Sequence, residues 1–138
     1  MNTATAFSHT AQGRFEVKID PPVALSSPAD GALLSKRSMS KQYSGDLTGS
    51  ALGEMQFAGQ PHIGEAAYTA LESLVGELQG RKGSFALAHL GLMSGGKQDL
   101  RISVVPGSGL GELAGISGEL ILRIEDGVHF YTLNYRLD

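Results

Sequence analysis

EAAYTALESLVGEL, from Glu65 to Leu78, reads two ways. As a helix it places Ala67, Ala70, Leu71, Leu74, Val75 and Leu78 on a 3.6-residue period, and its composition is helix-forming. As a strand it places Tyr68, Ala70, Glu72 and Leu74 on one face. Local propensity leans to the helix. The choice decides whether the chain is all-β.

The flanks lean the other way. Arg14 to Ile19 alternates, with Phe15, Val17 and Ile19 against Arg14, Glu16 and Lys18. Ser35 to Tyr43 sets Met39 and Tyr43, with Arg37 and Lys41, against Ser38, Ser40 and Gln42. Leu52 to Ala58 sets Met55 and Phe57 against Glu54 and Gln56. Ser84 to Met93 is apolar and ends in Ser94-Gly95-Gly96, a hairpin turn. Leu100, Ile102 and Val104 alternate with Asp99, Arg101 and Ser103, and Leu120, Leu122 and Ile124 alternate with Glu119, Ile121, Arg123 and Glu125. Asp126-Gly127 is a two-residue hairpin signal. Val128 to Leu137 puts His129, Tyr131, Leu133, Tyr135 and Leu137 on one face. Every unambiguous element is a strand, so the surrounding pattern favours a strand at 65–78 as well.

About eight strands with mostly short connections predict a sandwich or an up-and-down barrel. Closure removes the exposed edges that an open meander would leave. A Gly-acid-Leu-x-Gly unit supports closure. It occurs at Gly45 to Gly49, Gly76 to Gly80 and Gly111 to Gly115, with a partial copy at Gly118-Glu119-Leu120. Its glycines mark places where strands bend or bulge. The whole chain, 1–138, reads as one domain, with 1–12 as a flexible N-terminus and 20–34 as a long loop holding Pro21, Pro22 and Pro28.

Composition excludes several classes. There is no cysteine, so disulfides and thiolate metal sites are out, and a cytoplasmic location fits. Net charge is −3 and Lys and Arg are dispersed, which argues against a nucleic-acid face. Apolar runs are far too short for a membrane span, and Met1 to Ala11 lacks the pattern of a secretory signal. Pro106-Gly107-Ser108-Gly109-Leu110-Gly111 follows a strand like a nucleotide loop. It lacks the Lys for the phosphates and the helix that would follow, so it reads as a bulged connection. His9, His62, His89 and His129 show no metal-pair spacing, and neither a metal nor a cofactor is expected.

The chemistry-bearing candidates come from the apolar faces. If these line a barrel, Tyr68, Glu72, His89, His129, Tyr131 and Tyr135 point inward, and Lys41 follows Met39 and Tyr43. A buried Glu72 would have its pKa raised by desolvation, or lowered by pairing with Lys41 or a histidine. Either makes an acid–base or ligand-anchoring group. The competing reading is an internal network that only satisfies buried polar atoms. Glu72, His89 and Tyr68 are the catalytic candidates, and Lys41, Tyr43, His129, Tyr131 and Tyr135 the ligand-binding ones. No Gly-x-Ser-x-Gly elbow is present.

Several ordered motifs carry a resemblance. Lys41-Gln42-Tyr43-Ser44-Gly45-Asp46-Leu47, Gly80-Arg81-Lys82-Gly83-Ser84-Phe85, Val104-Val105-Pro106-Gly107-Ser108-Gly109, Leu113-Ala114-Gly115 and Gly127 to Tyr135 look like a bacterial domain-of-unknown-function family, number 3224. That family is similar in fold to the allene oxide cyclases, calycin-like β-barrels with an apolar cavity. The resemblance implies an all-β antiparallel barrel and a strand at 65–78. It supplies no reaction, and no catalytic residue carries over.

The expectation is therefore a barrel that binds a small apolar molecule in its lumen; if it is an enzyme, the expected class is a cofactor-independent isomerase or cyclase. A packed interior with no pocket of about 300 Å³ would exclude it. The rival is a filled structural module acting through an interface. The outward apolar residues Ala86, Ala88, Leu90 and Leu92 suit a homo-oligomer, a dimer or trimer.

Overall fold

In a computed structural model of the chain, which describes residues 7–138, the segment 65–78 is a strand. The described residues form ten strands: β1 (His9–Ile19), β2 (Val23–Ala24), β3 (Leu34–Gly45), β4 (Leu47–Gln60), β5 (Glu65–Leu78), β6 (Arg81–Ser94), β7 (Lys97–Val104), β8 (Leu110–Gly111), β9 (Ile116–Glu125) and β10 (Val128–Leu137). The eight long ones run β1-β10-β9-β7-β6-β5-β4-β3, and β3 pairs back to β1. Every pairing is antiparallel, so the sheet closes as an up-and-down barrel. Tertiary pairing overrides helix propensity in β5, because a helix would leave β4 and β6 with unpaired edges.

Two expectations need correction. The segment 1–12 is not wholly a flexible leader: β1 begins at His9, whose Cα partner is Tyr135, while residues 1–6 lie outside those described. Nor is 20–34 a plain loop. Val23 and Ala24 pair with Lys36 and Ser35, and Leu25 N–H donates to the Leu34 carbonyl at 2.9 Å. The segment is a hairpin extension of β3, turned at Asp30 with φ of 61°. The other turns match their sequence signals. Asp126 and Gly127 have φ of 50° and 79°, as a two-residue hairpin turn requires.

The Gly-acid-Leu-x-Gly units gather at one end of the barrel. Their leucines, Leu47, Leu78 and Leu113, are fully buried plugs of the core. Their glycines let neighbouring strands approach. Gly49 pairs with Gly76, and Gly76 with Gly83. A Cβ on Gly76 would stand 2.0 Å from the Thr48 carbonyl oxygen. The third unit begins at Gly111 in β8, which pairs with β6 beside the point where β7 leaves it. Ser108 fixes the loop before it, accepting from Ala86 N–H at 3.0 Å and donating to the Val105 carbonyl at 2.7 Å.

The interior has two halves. The glycine-closed half is filled by Leu47, Leu74, Phe85, Leu113, Leu133 and Tyr135 among others. The opposite half, between Met39, Met55, Phe57 and Met93, stays hollow.

Candidate functional site

The hollow half is a cavity of about 300 Å³. This lies at the lower end of ordinary ligand sites. Its walls are Phe15, Val17 and Ile19 of β1, Met39 of β3, Met55 and Phe57 of β4, Met93 of β6 and Leu122 of β9. Methionines dominate one side, and their unbranched chains adapt to varied apolar shapes. Polar side chains enter the lining mainly where the hollow half meets the filled one: Lys41, Tyr68, His89 and His129.

Beneath them sits Glu72, only 1% exposed. Oε1 receives Lys41 Nζ at 2.8 Å and His89 Nε2 at 2.7 Å. Oε2 accepts from the Tyr43 hydroxyl at 2.8 Å. The Tyr68 hydroxyl lies 3.3 Å from His89 Nδ1. One buried carboxylate on β5 thus gathers side chains from β3 and β6.

Strand register explains the convergence. Glu72 is opposite Leu87 on β6, and His89 lies two residues along, a diagonal cross-strand neighbour on the same face. Lys41 is farther away, with β4 between. The β4 residues there are Ala51, opposite Lys41, and Gly53, opposite Glu72. Both are small, so the ammonium passes over them. A Cβ on Gly53 would stand 2.7 Å from Met39 Cε and 2.9 Å from Glu72 Cβ. Gly91, opposite Tyr68, gives the phenol ring its place in the same way, since a Cβ there would lie 2.5 Å from it.

The electrostatics follow. Burial works to raise the Glu72 pKa. The hydrogen bond from His89 and the charge and hydrogen bond of Lys41 outweigh it and hold the carboxyl at about 2. Glu72 is therefore an acceptor only. Nε2 of His89 must donate to it, so that in the Nε2–H tautomer the lone pair lies on Nδ1, facing Tyr68. Burial and the Glu72 charge push the Tyr68 hydroxyl up to about 12, so it keeps its proton. The same two causes, with the hydrogen bond to Glu72, push Tyr43 up further. Lys41 also lies over the Phe15 ring, 4.4 Å from its centroid.

Of the eight residues singled out from the sequence, Glu72, His89, Tyr68, Lys41 and Tyr43 meet in one network. His129 reaches the same cavity, its ring 5.1 Å from that of Phe15. Tyr131 and Tyr135 point inward but into the filled half. Tyr131 accepts from Leu47 N–H at 2.9 Å and donates to the Ser44 carbonyl at 3.0 Å. Tyr135 bonds Gln79 and stacks on His9. They pin the closed end. Sequence reasoning did not single out the cavity walls. Met55 and Phe57 share their face with Gly53 and Ala51, and small residues beside large ones on an inward face are the available signal.

Among the described residues no three His, Asp or Glu side chains converge as a metal cluster, and no helix is long and apolar enough to cross a membrane.

Comparison with known proteins agrees with the fold. The model of a family described as protein of unknown function (DUF3224) matches residues 11–135. The crystal structure of a DUF3224-family protein of unknown function from Shewanella oneidensis MR-1 is 38% identical, with a TM-score of 0.87 over 94% of this chain and 98% of that one. No curated protein matches.

Proposed function

Because the chain belongs to the DUF3224 family of proteins of unknown function, the site itself must supply the reading, and we propose that the protein binds a small, largely apolar molecule in the hollow half of its barrel. The carrying observation is a cavity of about 300 Å³ whose apolar walls end at Lys41, His89 and Tyr68. A filled module would have no reason to leave this half empty, since a void there forfeits packing. The apolar part of the ligand lies among the methionines and Phe57. Its polar end meets Lys41 and His89, both bonded to Glu72, and Tyr68 beside His89. An isomerase or cyclase without a cofactor suits such a site. The lack of cysteine supports action in the cytoplasm.

A fluorescent naphthalene sulfonate probe tests the binding. It should enter the wild-type barrel and be displaced by medium-chain ketones and alcohols. Met93→Trp fills the cavity and should weaken the probe by about tenfold or more without loss of melting temperature. Equal affinity in the variant would place the probe elsewhere and sink the reading.

A second reading concerns the outer wall. Leu52, Leu71, Val75, Leu90 and Leu92 of β4, β5 and β6 are exposed on neighbouring strands. Apolar residues adjacent on one face favour burial against a second copy. Sedimentation at micromolar concentration should find an oligomer that Leu71→Lys dissociates; a strict monomer would remove this reading.

A further inference from the structure

Glu72, His89 and Tyr68 form a chain of contacts, 2.7 Å from carboxylate to imidazole and 3.3 Å from imidazole to phenol, that ends at the cavity. Given ligand binding in the hollow half, on which this inference rests, we propose that the site enolises a small apolar carbonyl compound, with His89 as the base, Tyr68 as the oxygen-binding donor and Glu72 as the positioning residue.

The geometry assigns each role. Glu72 Oε1 accepts a hydrogen bond from Nε2–H of His89 at 2.7 Å, which orients the ring and leaves Nδ1 as the nitrogen that can take a proton. His89 and Tyr68 both line the cavity. Their mutual contact, 3.3 Å from hydroxyl to Nδ1, is long for a hydrogen bond to oxygen or nitrogen and is readily given up to a ligand. A carbonyl oxygen beside Tyr68 takes the hydroxyl hydrogen. The adjacent C–H then faces the freed Nδ1 lone pair. Lys41 serves by charge. Held at 2.8 Å on the same carboxylate oxygen, its ammonium offsets the charge of Glu72. The groups facing His89 are Glu72 and Tyr68 of β5 and, through Glu72, Lys41 and Tyr43 of β3. Its β7 neighbour is Ile102, which carries no charge.

The step balances without a co-reactant. Nδ1 removes a proton from the carbon next to the carbonyl. The C–H electron pair becomes the carbon–carbon π bond, and the carbonyl π pair moves to oxygen, where Tyr68 stabilises it. The imidazolium, paired with the Glu72 carboxylate, returns the proton to the same carbon or, in a β,γ-unsaturated ketone, to the γ-carbon. The second outcome moves the double bond into conjugation. Nothing is oxidised or reduced.

Deuterium exchange tests the inference without knowledge of the natural substrate. The protein is incubated in D2O with medium-chain 2-alkanones, and loss of the α-proton signals is followed by NMR. The same ketones are assayed for binding by displacement of the fluorescent probe. Wild type should exchange the α-protons faster than buffer. His89→Gln should lower that rate by about 10²-fold or more while the ketone still binds, and Tyr68→Phe should lower it by about tenfold to a hundredfold. Glu72→Gln, if folded, should lower the exchange rate with ketone affinity unchanged, as a group acting through His89 requires. Ketones that displace the probe but exchange no faster than in His89→Gln would overturn the relay and leave ligand binding standing. Ketones that fail to displace the probe would overturn both.

Discussion

Nε2 of His89 and Oε1 of Glu72 are 2.7 Å apart, on adjacent strands and two residues out of direct register. A carboxylate this buried persists only because His89, Lys41 and Tyr43 all donate to it. Its cost in desolvation and its gain in pairing are both large, and the gain is tied to its charge.

That tie sets the acid limb of stability. The Glu72 carboxyl titrates at about 2 when folded, below its ordinary 4.5. Its contribution is therefore fully present above about pH 4.5 and is lost as pH falls toward 2. The size is on the order of 3 kcal/mol, since each pH unit of separation is worth about 1.4 kcal/mol. Urea unfolding at pH 7, 5, 4 and 3 should show a steepening loss below pH 5, and Glu72→Gln should flatten that part of the profile. A wild-type profile that is level between pH 5 and 3 would contradict the assignment.

The ion pair itself should couple strongly. Lys41→Met leaves Glu72 buried with one cation fewer and should cost about 3–5 kcal/mol. Glu72→Leu should cost a comparable amount, because it strands the Tyr43 hydroxyl and the Lys41 ammonium together. In the double variant the stranded ammonium is gone. The double should thus cost less than the sum of the singles by roughly 1–3 kcal/mol. Chemical denaturation of all four proteins closes the cycle, and additive losses would mean that the two side chains act independently.

Much of this arrangement is legible in the sequence, and the illegible part has a physical cause. A period of two assigns a side chain to a face, so Tyr68, Glu72 and His89 read as inward once their segments read as strands. The period carries no information about height along the barrel axis. Tyr131 and Tyr135 share the inward face with His129, yet only His129 reaches the cavity. Height is set by register and by which end the glycines draw shut, both long-range properties. For the same reason the gap over Ala51 and Gly53 that admits Lys41 appears only when β3, β4 and β5 are aligned. The helix-like composition of β5 is the converse case, a local preference overruled by pairing on both sides.

Two tyrosines should separate support of the fold from service at the cavity. Tyr131 holds the Leu47 N–H and the Ser44 carbonyl inside the closed end. Tyr131→Phe leaves that N–H buried without an acceptor and should cost about 1–3 kcal/mol, with binding of a cavity probe unchanged. Tyr68 is half-buried, and among the described residues its hydroxyl makes only the long contact to His89. Tyr68→Phe should alter stability by less than about 1 kcal/mol and weaken ligands that carry an oxygen at the polar end. Thermal melts and probe displacement on both variants would expose a swapped pattern, which would move the ligand to the other half of the barrel.

The closed end rests on strand approach, and Gly76 is its most exacting position. A Cβ there would meet the Thr48 carbonyl oxygen at 2.0 Å and Gly49 Cα at 2.8 Å, both main-chain atoms that no side-chain rotation can clear. Gly76→Ala therefore has to push β4 away from β5, opening the seam beside the buried Leu47 and Leu78 plugs. The expected loss exceeds about 4 kcal/mol, the range reserved for backbone clashes and large core defects. Val75→Thr, one residue away on the exposed outer face, should stay within about 0.5 kcal/mol. Calorimetric melting of the two variants against wild type gives the comparison. An unchanged melting temperature for Gly76→Ala would show that β4 and β5 have room to part there, and that closure of this end does not depend on its paired glycines.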